Sequence, residues 1–133
     1  MTTLADRMAE IVAIAATRPL AVTDEARLSA SFRTALEASS LVRADFERGR
    51  RIESEITLKC GAVALGRVDF LWAGIAIELK RQGTPLSIAR RLRRYAHSPR
   101  VDGLVLVTAR AMALPEHING RPALVAHIGE GLL

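Results

Sequence analysis

Leu4, Met8, Ile11, Val12 and Ala15 recur at three- and four-residue intervals, interrupted on the other face by Asp6 and Glu10. This is the spacing of an amphipathic helix that docks on a core or on a second subunit. Leu28, Phe32, Ala35 and Leu36 repeat it, and with Thr23 or Asp24 as N-cap they predict a helix running to about Ser39. A third helix is expected from Thr84 as N-cap and Pro85 at the first helical position. Leu86, Ala89, Leu92 and Ala96 would face inward and Pro99 would end it.

Between these helices the period drops to two. Ile52, Ser54, Ile56 and Leu58 alternate with Glu53, Glu55, Thr57 and Lys59, which predicts a half-buried strand. A loop through Gly61 and Gly66 is expected next, then two strands, 67–72 and 75–81, joined at Ala73-Gly74. The run GLVLVTA has no alternation, as in a strand covered on both faces. ALVAHIG, after the loop LPEHINGRP, reads as a last strand at an edge.

The hairpin at Ala73-Gly74 raises the chemical question, because charges occur inside its strands. A two-residue turn sets Trp72 opposite Ile75, Phe70 opposite Ile77 and Asp69 opposite Glu78, with Lys80 facing Arg67. Val68, Phe70, Trp72, Ile75, Ile77 and Leu79 then share an apolar face, and Arg67, Asp69, Glu78 and Lys80 share the other. Two facing carboxylates have Cβ atoms roughly 4.5–5.5 Å apart and repel. Either an ion network with Lys80 and Arg67 or a divalent cation must compensate them. Hard carboxylate oxygens suit Mg²⁺, with Mn²⁺ as a substitute. Lys80, on the same face, is then placed to serve a metal-bound water.

The chain has 133 residues, half of them hydrophobic, which suits one compact domain over 21–133 behind the N-terminal helix of 1–20. Its formal charge is +5, but seven of the nineteen basic residues lie between Lys80 and Arg100 with no acid among them. The remaining twelve face fourteen acids and sum to −2. Arg81, Arg90, Arg91, Arg93, Arg94 and Arg100, with Arg67 and Tyr95 nearby, therefore form a candidate polyanion surface. A solvated helix face is the plainer explanation of such a stripe. One cysteine, Cys60, excludes an internal disulfide and is expected as a small buried residue in a reducing, cytoplasmic protein. The opening apolar run is too short to span a bilayer. His97, His117 and His127 lack zinc-ligand spacing, and no Gly-rich phosphate loop with lysine is present.

Asp69 followed by Glu78-Leu79-Lys80 on a hairpin resembles the PD-(D/E)XK nuclease superfamily, and the order of elements from Asp24 to Thr108 is similar to that family's core. The resemblance implies an α/β, restriction-endonuclease-like fold with a mixed central sheet flanked by helices, and Mg²⁺-dependent hydrolysis of DNA. In it Asp69, Glu78 and the Leu79 carbonyl hold the metal and Lys80 serves the water. It also implies a further acid on the first core helix, for which Glu25 lies near the buried stripe, with Glu53 or Glu55 as alternatives. Small members dimerise, so a homodimer through Leu4, Met8, Ile11 and Val12 is expected. Val68 replaces the family's proline, and Arg91 stands where some subfamilies have the glutamine of Gln-x-x-x-Tyr. The rival reading is a non-catalytic nucleic-acid-binding module that keeps the fold.

Overall fold

A computed structural model of the chain describes residues 1–129. It is an α/β protein, with helices α1 (Leu4–Thr17), α2 (Glu25–Glu37), α3 (Ser40–Glu47) and α4 (Pro85–Tyr95). Its strands are β1 (Glu53–Cys60), β2 (Val63–Trp72), β3 (Ile75–Leu79), β4 (Gly103–Thr108), β5 (His117–Ile118) and β6 (Arg121–His127). The sheet order is β1-β2-β3-β4-β6-β5, antiparallel from β1 to β3, parallel through β4 and β6, and antiparallel again at β5. No described helix is long and apolar enough to cross a membrane.

Two buried clusters cover the two faces of the sheet. On one, α1, α2 and α3 pack Met8, Ile11, Leu28, Phe32 and Val42 against Phe70, Trp72, Ile77 and Val107. On the other, α4 packs Ile88, Leu92 and Tyr95 against Leu71, Ala76, Leu104 and Leu106. Met8 and Ile11 are thus inside the protein's own core, and the expectation that they line an interface with a second copy gives way to docking on the sheet. The inward face of α4 is also rotated from the expected one: Leu86 is exposed, while Ile88 and Tyr95 are buried.

The expected alternation fails at one place. Glu55 has φ +50° between the pairs Ser54↔Phe70 and Ile56↔Val68, a left-handed conformation uncommon away from glycine. Ile52 lies with the first cluster, whereas Ile56, Leu58 and Val68 lie with the second. Val68 therefore does not share a face with Phe70. Cys60, at the end of β1, is exposed rather than buried. The segment after it is a hairpin rather than a loop, since β2 already begins at Val63.

The β2–β3 turn forms as its sequence predicts. Ala73 and Gly74 have φ +49° and +82°, the two positive values of a type I′ turn. A Cβ on Gly74 would collide with the Asp102 carboxylate, so glycine is needed there for space as well. The α3 helix has no apolar stripe and escaped the sequence reading. Its Asp45 is buried and accepts two bonds from Arg7, at 2.7 and 2.8 Å, and one at 3.0 Å from the Trp72 indole. This cluster ties α1 and α3 to β2. The Arg7 bonds hold the Asp45 carboxyl below its usual range. Asp45→Ala would leave the buried Arg7 charge unpaired, a loss expected to cost about 3–5 kcal/mol. Chemical denaturation should show it, and a cost below about 1 kcal/mol would mean that water replaces the carboxylate.

Candidate functional site at the open end of the hairpin

Trp72↔Ile75 and Phe70↔Ile77 pair as expected, and the ladder ends there; Asp69 and Glu78, one position further on, have neighbouring side chains. Both point to the face covered by α4, because Leu71 and Ala76, two positions along, belong to that cluster. Glu78 is 1 % exposed and Asp69 half-buried. One Asp69 oxygen, Oδ2, accepts the Leu79 backbone N–H at 2.7 Å, which fixes it against β3. One Glu78 oxygen, Oε2, accepts Arg91 Nη1 at 3.0 Å and the Tyr95 hydroxyl at 3.3 Å. The other, Oε1, is buried with no hydrogen-bond partner.

Tyr95 reaches this point because β2 passes close by. Gly66 has φ +136°, and a Cβ there would sit 3.1 Å from the Tyr95 ring. The single hydroxyl proton is shared between two acceptors, the Arg67 carbonyl at 2.8 Å being nearer than Glu78. Burial and the neighbouring Glu78 charge push its pKa above the ordinary tyrosine range, so the hydroxyl keeps its proton at neutral pH.

Burial, and then the Asp69 charge, push the Glu78 carboxyl up to about 7, while Arg91 opposes the shift. Asp69 is also raised, chiefly by burial, with the Leu79 N–H and Lys80 opposing and Glu25 contributing. Each carboxylate therefore makes the other harder to ionise.

The other expected site residues divide sharply. Lys80 follows β3, its backbone N–H donating to Val107, and its side chain lines a cleft of about 270 Å³ with Gln82, Ser87, Arg90, Arg91 and Arg94. Arg90, Arg93 and Arg94 are exposed. Arg91 is only partly so: its guanidinium turns to Glu78, a placement the outward-stripe reading missed, while the rest of the side chain stays in contact with solvent. Tyr95 is fully buried and unavailable to a surface ligand. Arg81 is engaged at the start of α2, its Nε donating to the Val22 carbonyl at 2.8 Å and its backbone N–H to Glu25 at 3.2 Å. Arg100 forms a two-bond pair with Glu53, and Arg67 lies 3.8 Å from Glu55. Those pairs also occupy Glu53 and Glu55, the alternative third acids. Glu25 is exposed at the same end of the sheet as Asp69, yet among the described residues no group of three His, Cys, Asp or Glu side chains gathers as a metal cluster. The inward turn of Arg91 was signalled by its spacing: Arg91 and Tyr95 are four residues apart, on one helix face.

No family model, no curated protein and no solved structure matches the chain.

The raised Glu78 pKa has a consequence for stability. Without metal, the folded carboxyl keeps its proton up to about pH 7, against an ordinary value of 4.5. The stability this gives is fully present below pH 4.5 and is lost as pH rises through 7, a change of roughly 3 kcal/mol at most. The melting temperature in EDTA should fall between pH 5 and pH 8.5, and Glu78→Gln should flatten that fall. Parallel pH profiles of the two proteins would dismiss the raised pKa of Glu78.

Proposed function

We propose that the chain is a Mg²⁺-dependent nuclease acting on DNA, of the restriction-endonuclease-like kind that its Asp69…Glu78-Leu79-Lys80 pattern resembles. The observation that carries the reading is the buried Glu78 Oε1, which has no hydrogen-bond partner and lies beside a second carboxylate, while Arg91, bonded to the other Glu78 oxygen, also lines the basic cleft that holds Lys80. An anionic oxygen out of water needs a cation or a proton. Two carboxylates with a free oxygen fit a hard divalent ion. Mn²⁺ should substitute for it.

A metal held by Asp69 and Glu78 would supply charge for the scissile phosphate and acidify a bound water. The chain's own groups do the rest. The Leu79 N–H fixes Asp69, and Tyr95 and Arg91 fix Glu78. Lys80 carries no side-chain hydrogen bond or ion pair among the described residues, which leaves its ammonium to orient the attacking water and to offset the charge that develops on the phosphate. Arg90 and Arg94, on the opposite wall, take the flanking phosphates. A homodimer and a cytoplasmic setting accompany this reading.

One observation favours the rival, a binding module of the same fold without turnover: Arg91 already supplies Glu78 with a positive partner. A panel of labelled single-stranded, duplex, flap and junction DNAs, incubated with Mg²⁺, Mn²⁺ or EDTA, separates the two. Cleavage that needs the metal and is lost in Lys80→Ala and Glu78→Gln is expected. Binding without cleavage of any substrate would leave the binding module. In either case Arg90→Ala with Arg94→Ala should lower the slope of log affinity against log salt by about two units. An unchanged slope would make those arginines a solvated helix face.

A further inference from the structure

Arg91 occupies an unusual position for a residue in a run of surface arginines. Its Nη1 lies 3.0 Å from Glu78 Oε2, against a carboxylate that is 1 % exposed, yet its own side chain is 41 % exposed. It also lines the cleft with Lys80, Arg90 and Arg94. One guanidinium thus stands on the boundary between the acid pair and the phosphate-binding wall, with solvent on one side into which it can rotate. The acid pair has one oxygen of Glu78 satisfied by Arg91 and Tyr95 and the other unsatisfied.

We infer that Arg91 is an internal cation that competes with the divalent metal for Glu78 and, when the metal displaces it, turns into the cleft to bind a DNA phosphate. The inference rests on the nuclease reading and gives that site its order of assembly. A +1 guanidinium at hydrogen-bond distance stabilises ionised Glu78 only while the metal is absent, and it repels a divalent ion bound on the same carboxylate. Once released, the same charge is added to the phosphate wall formed by Arg90 and Arg94. Metal and DNA therefore tighten each other's binding through one side chain, as linkage requires of two ligands coupled by a shared element.

The sign of the effect separates this role from a supporting one. If Arg91 merely oriented Glu78 as a ligand, its removal would weaken metal binding. As a competitor, its removal strengthens it. Calorimetric titration with Ca²⁺ at pH 8.5, where the proton no longer competes at Glu78, should show about three- to tenfold tighter binding in Arg91→Gln than in the unaltered protein, the range expected for a partly exposed charge-assisted contact. Arg91→Lys, which keeps a cation there, should fall between them. Affinity for a short oligonucleotide, read by fluorescence anisotropy, should rise on adding Ca²⁺ in the unaltered protein, and should rise less in Arg91→Gln. Thermal melting checks that both variants fold, which the exposed side chain favours. Ca²⁺ binding that is unchanged or weaker in Arg91→Gln overturns the competition while leaving the proposed nuclease intact. Absence of Ca²⁺ binding in all three proteins overturns the metal site itself, and the inference with it.

Discussion

The burial of Glu78 next to Asp69 is the constraint around which this end of the molecule is arranged. A carboxylate 1 % exposed beside a second one has neither water nor distance to relieve it. The surroundings answer with every available donor: the Leu79 amide on Asp69, and Arg91 and Tyr95 on Glu78. Even so, one oxygen is left over. Structural ion networks in cores close completely, as the Arg7–Asp45–Trp72 cluster does on the opposite face of the sheet. This contrast between a closed and an unclosed buried carboxyl within one small domain is what the proposed metal site rests on.

Much of this was legible in the chain. The Ala73-Gly74 turn fixes the register through Phe70↔Ile77, so the closeness of Asp69 and Glu78, the next position along, could be reached by counting. Thr84 and Pro85 set the start of α4, and the uninterrupted apolar run of β4 announced a strand covered on both faces. What was hidden depends on irregular geometry. The left-handed Glu55 breaks the alternation of β1 and sends Val68 to the other face, and nothing in an acidic residue's identity announces a positive φ. Helix α3 was invisible because its buried residues are Val42 and the charged Asp45, which hydropathy scores as exposed. The two-residue β5 lay inside what read as a loop.

Charge counting misjudged the arginines for a related reason. A run of like charges was read as one surface, although helical spacing divides it. Arg90, Arg93 and Arg94 face solvent, Arg91 faces the acids, and Arg81 and Arg100 are bound to neighbouring elements. Only the first group forms the exposed basic face of α4. The net charge of a stretch sets the field around it, but the assignment of each guanidinium depends on which carboxylates and carbonyls the fold brings within reach.

The site residues from Asp69 to Tyr95 belong to one unbroken length of chain, made of a tight hairpin and the helix that follows it. Closing such short loops costs little entropy. The Arg7–Asp45–Trp72 cluster, by contrast, joins three separate elements, α1, α3 and β2. The donors of Asp69 and Glu78 thus come from one hairpin and the helix after it, so a change confined to α1 or α3 leaves every one of those donors in place in the sequence.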